Sequence, residues 1–333
     1  MPNRLLKIFA GNANTELAKN ISEFIDKETG FKTWGNITVS NFADGETSVK
    51  VHDNVRGNDV YIIQSTCTPV NDNLMELLLM VTTMRRASAR KITAVIPYYG
   101  YARQDRKMDS RVPISAADVA KFLEIAGVDR VVSIDLHCGQ IQGFFSPKVP
   151  CDNLYAGIVA VDYVKTIDLQ NPVVVSPDAG GVPRAKKFRD KLSKVGTHCE
   201  FAMIIKQRAK QTSDNGKIVT GINKMNIIGE VKDSDVILVD DIIDTAGTLC
   251  KAAEELKNAG ARKIYAFASH GVFSGPAFER IAESCLDKVI VTDTIVKEGA
   301  PDKIVNISVG GLLAKTILRI HNKKSVSELF KID

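Results

Sequence analysis

The densest run of residues able to do chemistry is SDVILVDDIIDTAGTLCKAAEELKNAG, residues 234–260. A strand-forming stretch ends in the doublet Asp240–Asp241. Asp244, Thr245, Ala246, Gly247 and Thr248 follow, and a helical pattern begins. Glycine at that turn lets backbone N–H groups approach a phosphate, while the helix N-terminus supplies free donors and the positive end of its dipole. Thr245 and Thr248 add hydroxyl donors. Carboxylates would repel a phosphate in the same place. Beside it, they can accept hydrogen bonds from sugar hydroxyls, directly or through Mg²⁺ and its waters. A capped helix with a solvated acidic turn would explain one Asp or Thr. The doublet followed by DTAGT instead reads as a pocket for a phosphorylated, polyhydroxylated sugar.

Three other segments carry suitable groups. SPDAGG, residues 176–181, offers Asp178 to a metal or a ribose hydroxyl, and Gly180–Gly181 let the chain pass close to pyrophosphate oxygens. A plain strand-to-helix turn accounts for that segment equally well. His137 follows a strand, at the expected mouth of a sheet. Mg²⁺ prefers oxygen, so an imidazole there would act through water or directly on phosphates. Residues 204–226, IIKQRAKQTSDNGKIVTGINKMN, are polar and basic and read as a mobile loop, suited to a lid bearing cations.

The elements that must position these groups alternate in type. Val60–Ile63, Ile92–Ile96, Val131–Ile134, Val173–Val175, Val236–Val239 and Ile264–Phe267 read as buried strands. Helical patterns over Asn73–Met84, Ala116–Ile125 and Gly247–Asn258 lie between them, the last two stopping at Gly127 and Gly260. The alternation predicts an α/β protein with mostly parallel sheets covered by helices. At an offset of 133 residues, Ala120, Leu123, Ala126, Gly127, His137 and Phe145 match Ala253, Leu256, Ala259, Gly260, His270 and Phe278. Two tandem copies of one unit explain this, with domains over residues 1–150 and 151–333 and the final helix packing back on the first. In the earlier copy, Lys107, Met108, Arg111, Val112, Ile114 and Ser115 stand where the later copy has its acids, hydroxyls and glycine, so the sugar phosphate belongs to the later one.

The 333 residues are of ordinary globular composition, 44% hydrophobic and 25% charged, which argues against disorder. The net charge of +5 is spread along the chain, so small phosphate-bearing molecules suit it as well as nucleic acid does. Six scattered cysteines form no metal or disulfide pattern, and neither a signal peptide nor a membrane span is legible. A cytoplasmic protein with no nucleic-acid or membrane partner is expected.

Several motifs resemble one family closely: NFADGE at 41–46, YARQDRK at 101–107, RVPISA at 111–116, DLHCGQIQGFF at 135–145, SPDAGG at 176–181, DDIIDTAGT at 240–248 and SHGVFSGPA at 269–277. Together they resemble the ribose-phosphate pyrophosphokinases, built from two type I phosphoribosyltransferase-like domains. The resemblance implies transfer of a pyrophosphoryl group from ATP to the 1-hydroxyl of ribose 5-phosphate, with Mg²⁺ and release of AMP. It assigns ATP contacts to Phe42, Asp44, Glu46, Arg103, Gln104 and Asp109, with the Phe42 stretch supplied by a neighbouring subunit. It assigns Mg²⁺ to His137 and Asp178, and ribose 5-phosphate to Asp178, Asp240, Asp241 and residues 244–248. Lys206 and Arg208 match the family's catalytic lysine and arginine, although Gln207 and the length of the loop depart from the usual pattern. The resemblance further implies dimers assembled into a homo-hexamer, with phosphate and ADP as effectors near Arg56, Arg111 and Ser308. Two rivals are a phosphoribosyltransferase, which leaves YARQDRK and NFADGE unexplained, and a catalytically weak regulatory subunit of a synthetase assembly.

Overall fold

The computed structural model describes residues 5–212 and 218–330, with the backbone alone over 206–224. Its first half contains β1 (Leu6–Ala10), α1 (Thr15–Thr29), β2 (Ile37–Asn41), β3 (Thr47–Val51), β4 (Asp59–Ile63), α2 (Val70–Arg86), β5 (Lys91–Ile96), α3 (Ser115–Ala126), β6 (Arg130–Ile134) and β7 (Cys151–Leu154). The second half contains α4 (Gly157–Val164), β8 (Val173–Ser176), α5 (Val182–Lys194), β9 (Glu200–Thr212), β10 (Ile218–Ile228), β11 (Asp235–Ile243), α6 (Gly247–Asn258) and β12 (Lys263–Gly271). It ends with α7 (Ala277–Glu283), β13 (Lys288–Thr292), β14 (Ile304–Ile307) and α8 (Gly310–His321).

Strands β1, β4, β5, β6 and β7 form a parallel sheet in the order β1-β4-β5-β6-β7. The second sheet runs β10-β9-β8-β11-β12-β13-β14 and is parallel except where β10 turns back on β9. All five residues of β4 and all four of β8 are buried, the mark of strands covered on both faces. Helix α1 starts where the Asn14 side chain accepts from the Leu17 N–H and stops at Gly30, φ 74°. Leu17, Ile21 and Ile25, one turn apart, form its buried face.

One core cluster joins the halves: Ile8, Leu17 and Ile134 pack in the same cluster as Ile237, Phe267 and Ile317. Helix α8 lies against α1. Buried polar groups also cross between halves, His270 Nε2 lying 3.0 Å from the Ile134 carbonyl and Ser65 Oγ donating to the Thr294 carbonyl at 2.6 Å. The two sheets are thereby held with the carboxyl ends of β6 and β11 close together.

Two expectations need correction. Strand β7 pairs with β6, so the first sheet continues through Leu154 and the chain leaves it after residue 150. The segment read as a loop is the antiparallel ribbon β9–β10, with Lys206 opposite Met225 and Arg208 opposite Ile222. Asn223 is an extra residue in that ladder, a bulge beside Gln207 and Arg208. The run Ile218-Val219-Thr220 favours strand, and Asn215-Gly216 is a strong hairpin signal that the surrounding polarity conceals.

Candidate active site

Two cavities meet at the carboxyl ends of β8 and β11. The smaller, about 270 Å³, is lined by the turn from Asp244 to Thr248 together with Asp178 and Asp240. The larger, about 840 Å³, is lined from the first half by Asp105, Arg106, His137 and Cys138 and from the second by Gly180, Gly181, Arg184, Asp240 and Asp241. Asp178 and Asp240 line both cavities and form the wall they share.

The small cavity owes its shape to a strained turn. Ala246 lies in the left-handed region at φ 59°, and α6 begins at the next residue. A Cβ on Gly247 would come 3.3 Å from Nη1 of Arg280, so glycine keeps the backbone open to a ligand. The same Arg280 nitrogen donates to the Thr245 carbonyl at 2.9 Å. It adds a cation beside the free N–H groups of the helix start, where an anion is favoured. Arg280 was not among the residues singled out from sequence, and no motif marks it.

The carboxylate doublet is held by basic side chains from both halves. His137 Nδ1 lies 2.7 Å from Asp241 Oδ2, and Arg184 Nη1 lies 3.1 Å from Asp241 Oδ1 and 3.5 Å from Asp240 Oδ1. Burial works against charge on Asp241, but the His137 hydrogen bond and Arg184 outweigh it and hold that carboxyl well below the usual range. Asp240 moves the other way. Partial burial and the adjacent Asp241 charge push it upward, although its side chain keeps 35% exposure. The Asp241 hydrogen bond raises the His137 imidazole against the opposing effect of burial. Arg184, on the first turn of α5, was also missed in the sequence, where a helix-surface arginine ordinarily means solvation.

Arg103 Nη1 donates to Asp244 Oδ2 at 2.6 Å, tying the 101–107 turn to the 244–248 turn. The other Asp244 oxygen, Oδ1, is buried without a hydrogen-bond partner. Gln104 accepts from Ser115 Oγ at 2.6 Å, and Asp109 accepts from the Ser110 N–H at 2.8 Å. Neither lines either cavity; their neighbours Asp105 and Arg106 line the larger one. Asp178 Oδ1 accepts from the Gly181 N–H at 2.9 Å, which folds the 178–181 turn around the shared wall. Phe42, 58% exposed, sits with Asp44 and Glu46 at the tip of the β2–β3 ribbon and lines neither cavity. The side chains of Lys206 and Arg208 lie outside the described residues; their backbone runs along β9, directly after Ile205, which lines the larger cavity. Arg56 and Arg111 are exposed, Ser308 Oγ accepts from the Gly310 N–H, and no described hydrogen bond or ion pair joins the three.

Residues 6–127 match the N-terminal domain of ribose phosphate pyrophosphokinase, and residues 168–331 match the phosphoribosyl synthetase-associated domain. A ribose-phosphate pyrophosphokinase from Pasteurella multocida is 51% identical over 98% of this chain and 99% of its own. The chain belongs to the ribose-phosphate pyrophosphokinase family. Another member, from Campylobacter jejuni, is 49% identical over 97% of this chain and 98% of its own. The crystal structure of the phosphoribosylpyrophosphate synthetase of Mycobacterium smegmatis superposes with a TM-score of 0.85 at 38% identity, covering 96% of this chain and all of that one. The fold is accordingly two tandem type I phosphoribosyltransferase-like units, each a mostly parallel sheet between helices.

Proposed function

We propose that this pyrophosphokinase transfers the β,γ-pyrophosphoryl group of ATP to the 1-hydroxyl of D-ribose 5-phosphate, giving 5-phospho-α-D-ribose 1-diphosphate and AMP for nucleotide synthesis. The observation that carries the reading is the pair of cavities with one common wall. A compact cradle on a helix start suits a sugar phosphate, and a basin about three times larger beside it suits a nucleotide. In the reaction, the sugar O1–Pβ bond forms and the bond from Pβ to the α–β bridging oxygen breaks, so AMP leaves with that oxygen. The 1-hydroxyl's proton is released to solvent.

The chain's residues then take complementary parts. Thr245, Ala246, Gly247 and Thr248 hold the 5-phosphate with backbone N–H and hydroxyl donors, and Arg280 adds charge behind them. Asp240 and Asp241 accept the 2- and 3-hydroxyls, while Arg184 and His137 keep Asp241 ionised to do so. Arg103, released from Asp244 when the sugar phosphate enters, turns its planar fork to the polyphosphate, with Arg106 lining the same basin. Gln104, Asp109 and a Phe42-Asp44-Glu46 tip from a second copy complete the nucleotide side. Lys206 and Arg208 place positive charge on the migrating group and on the leaving oxygens, which phosphoryl-type transfer requires more than a base.

Among the described residues no cluster of three or more His, Cys, Asp or Glu side chains forms a metal cage. Mg²⁺ needs none, because it keeps its waters and is held by one or two carboxylates plus substrate phosphates. Asp178 at the shared wall, with Asp240 and His137 beside it, fits that requirement. When bound, the ion supplies charge neutralisation of the polyphosphate. A homo-hexameric assembly with phosphate and ADP as effectors near Arg56, Arg111 and Ser308 belongs to the same reading, as does a division into domains within which α8 rejoins the first.

The test is AMP formation from ATP in the presence and absence of ribose 5-phosphate and Mg²⁺. Release that requires both supports the reading. ATP left intact in their presence, with the chain folded, would count against it and favour a regulatory subunit.

A further inference from the structure

A second cavity of about 840 Å³ lies at the opposite edge of the first sheet. Its floor is made by the amino ends of parallel strands: Asp59 opens β4, Lys91 opens β5 and Arg130 opens β6. Its wall is the end of α8 and the chain that follows, from Ile320 to Ser327, folded across from the second half. His137 and the doublet sit at the carboxyl ends of strands, so this cavity is separate from the candidate active site.

Three features mark it as built. First, polar atoms in its lining are buried without hydrogen-bond partners: Asp59 Oδ1, Arg90 Nε and His321 Nδ1. Asp59 is only 5% exposed. Its other oxygen, Oδ2, pairs with Arg90 and lies 3.3 Å from His321 Nδ1. Buried polar groups are ordinarily satisfied, so a carboxylate oxygen in this position calls for a donor from a ligand or water. Second, the cations outnumber the acids. Asp59 is taken by Arg90, Asp152 by Arg130 and Asp129 by Arg85, which leaves Lys91, Lys148, Lys323 and Lys324 with no carboxylate partner among the described residues.

Third, the rim is strained at a lysine. Helix α8 ends in a turn where the Lys323 N–H donates to the Ile320 carbonyl at 3.1 Å and the Lys324 N–H to the Arg319 carbonyl at 2.7 Å. That places Lys323 at the left-handed position, φ 57°, where glycine is normally found. A side chain kept there against its conformational preference, at the mouth of a basic cavity, points to use rather than stability.

We infer that this cavity is a second ligand site, taking a phosphate monoester that also carries hydroxyl donors, of the nucleoside- or sugar-phosphate class. The lysines at the rim meet the phosphate, and a ligand hydroxyl donates to Asp59 Oδ1. Because floor and wall come from different halves, an occupant fastens the C-terminal segment to the first sheet.

Lysine acylation of the full chain, read residue by residue by mass spectrometry, tests this with AMP in one arm and inorganic phosphate in the other. Exposed Lys165, which lines none of the cavities above, serves as reference. AMP is expected to slow labelling of Lys323 and Lys324 but not of Lys165. Phosphate, lacking sugar hydroxyls for Asp59, is expected to need about tenfold higher concentration. Asp59→Ala, which removes both acceptor oxygens, should abolish that preference, and the exposed pair Lys323→Glu/Lys324→Glu should weaken protection of Lys91 and Lys148 about tenfold without unfolding the chain. Labelling unchanged by either anion would overturn the site. Protection by AMP and phosphate at equal concentrations would overturn the Asp59–hydroxyl contact and leave only an adventitious ion.

Discussion

Replacing Arg184 with Met keeps most of the side chain's bulk on α5 and removes its charge from the carboxylate doublet. In the wild-type chain, the guanidinium lies 3.1 Å from Asp241 and 3.5 Å from Asp240. Asp241 is nearly inaccessible, with 5% side-chain exposure, whereas Asp240 keeps 35% and Arg184 22%. Breaking a fully buried pair costs about 3–5 kcal/mol and an exposed one about 0–1, so this mixed case should cost about 1–2 kcal/mol. For a chain of 333 residues that is a fall in melting temperature of about 1.5–3 °C. The loss must depend on pH. Asp241's folded pKa is depressed in the wild type, so its stabilisation is present above the unfolded carboxylate range and is lost as pH falls through the folded value. Asp240, already raised to about 7 by burial and the Asp241 charge, is raised further without Arg184, so the variant's doublet takes up a proton between pH 8 and pH 5 and its repulsion is relieved. Melting scans of both chains from pH 8 to pH 5 should therefore show the widest gap at pH 8, narrowing as pH falls. A gap that is constant across the range, or that widens in acid, would refute the electrostatic account of the doublet.

Other outcomes follow from the same geometry. Lys206→Ala should lower kcat by about 10²–10³ while leaving ribose 5-phosphate affinity nearly unchanged; a near-normal rate would remove Lys206 from the reaction. Gly247→Val fills the space in front of Arg280, where even a Cβ reaches 3.3 Å, and should raise the KM for ribose 5-phosphate more than it alters the KM for ATP in initial-rate assays. His137 gains its proton more readily in the folded chain because of Asp241, so its share of stability is complete below the unfolded imidazole value and disappears as pH rises through the folded one. The melting difference between wild type and His137→Asn should accordingly be largest in mild acid and shrink towards pH 8. Chelation of divalent ions should abolish AMP release, and readdition of Mg²⁺ should restore it.

The buried parallel strands were legible because burial on both faces leaves little choice of residue: Val60–Ile63, Ile92–Ile96 and Val131–Ile134 all fall within observed strands. Helix α6 was equally plain over Gly247–Asn258, since its apolar face and the Gly260 stop agree. The β9–β10 ribbon was not, because a two-stranded extension lacks the apolar alternation that marks a half-buried strand. Within the candidate site, the doublet and the 244–248 turn declared themselves through acids, hydroxyls and a glycine clustered in one segment. Arg184 and Arg280 did not, since each is an ordinary helix arginine until the tertiary fold sets it against a carboxylate or a turn carbonyl. The back-edge cavity was invisible for the same reason: Asp59 and His321 are 262 residues apart and meet only because α8 folds onto the first half.

The most direct test of the whole account is a crystal of this protein grown with ribose 5-phosphate. The 5-phosphate should rest on the N–H and hydroxyl groups of residues 245–248, with the ring hydroxyls turned to Asp240 and Asp241. A phosphate bound elsewhere, with that cradle filled only by solvent at saturating sugar, would contradict it.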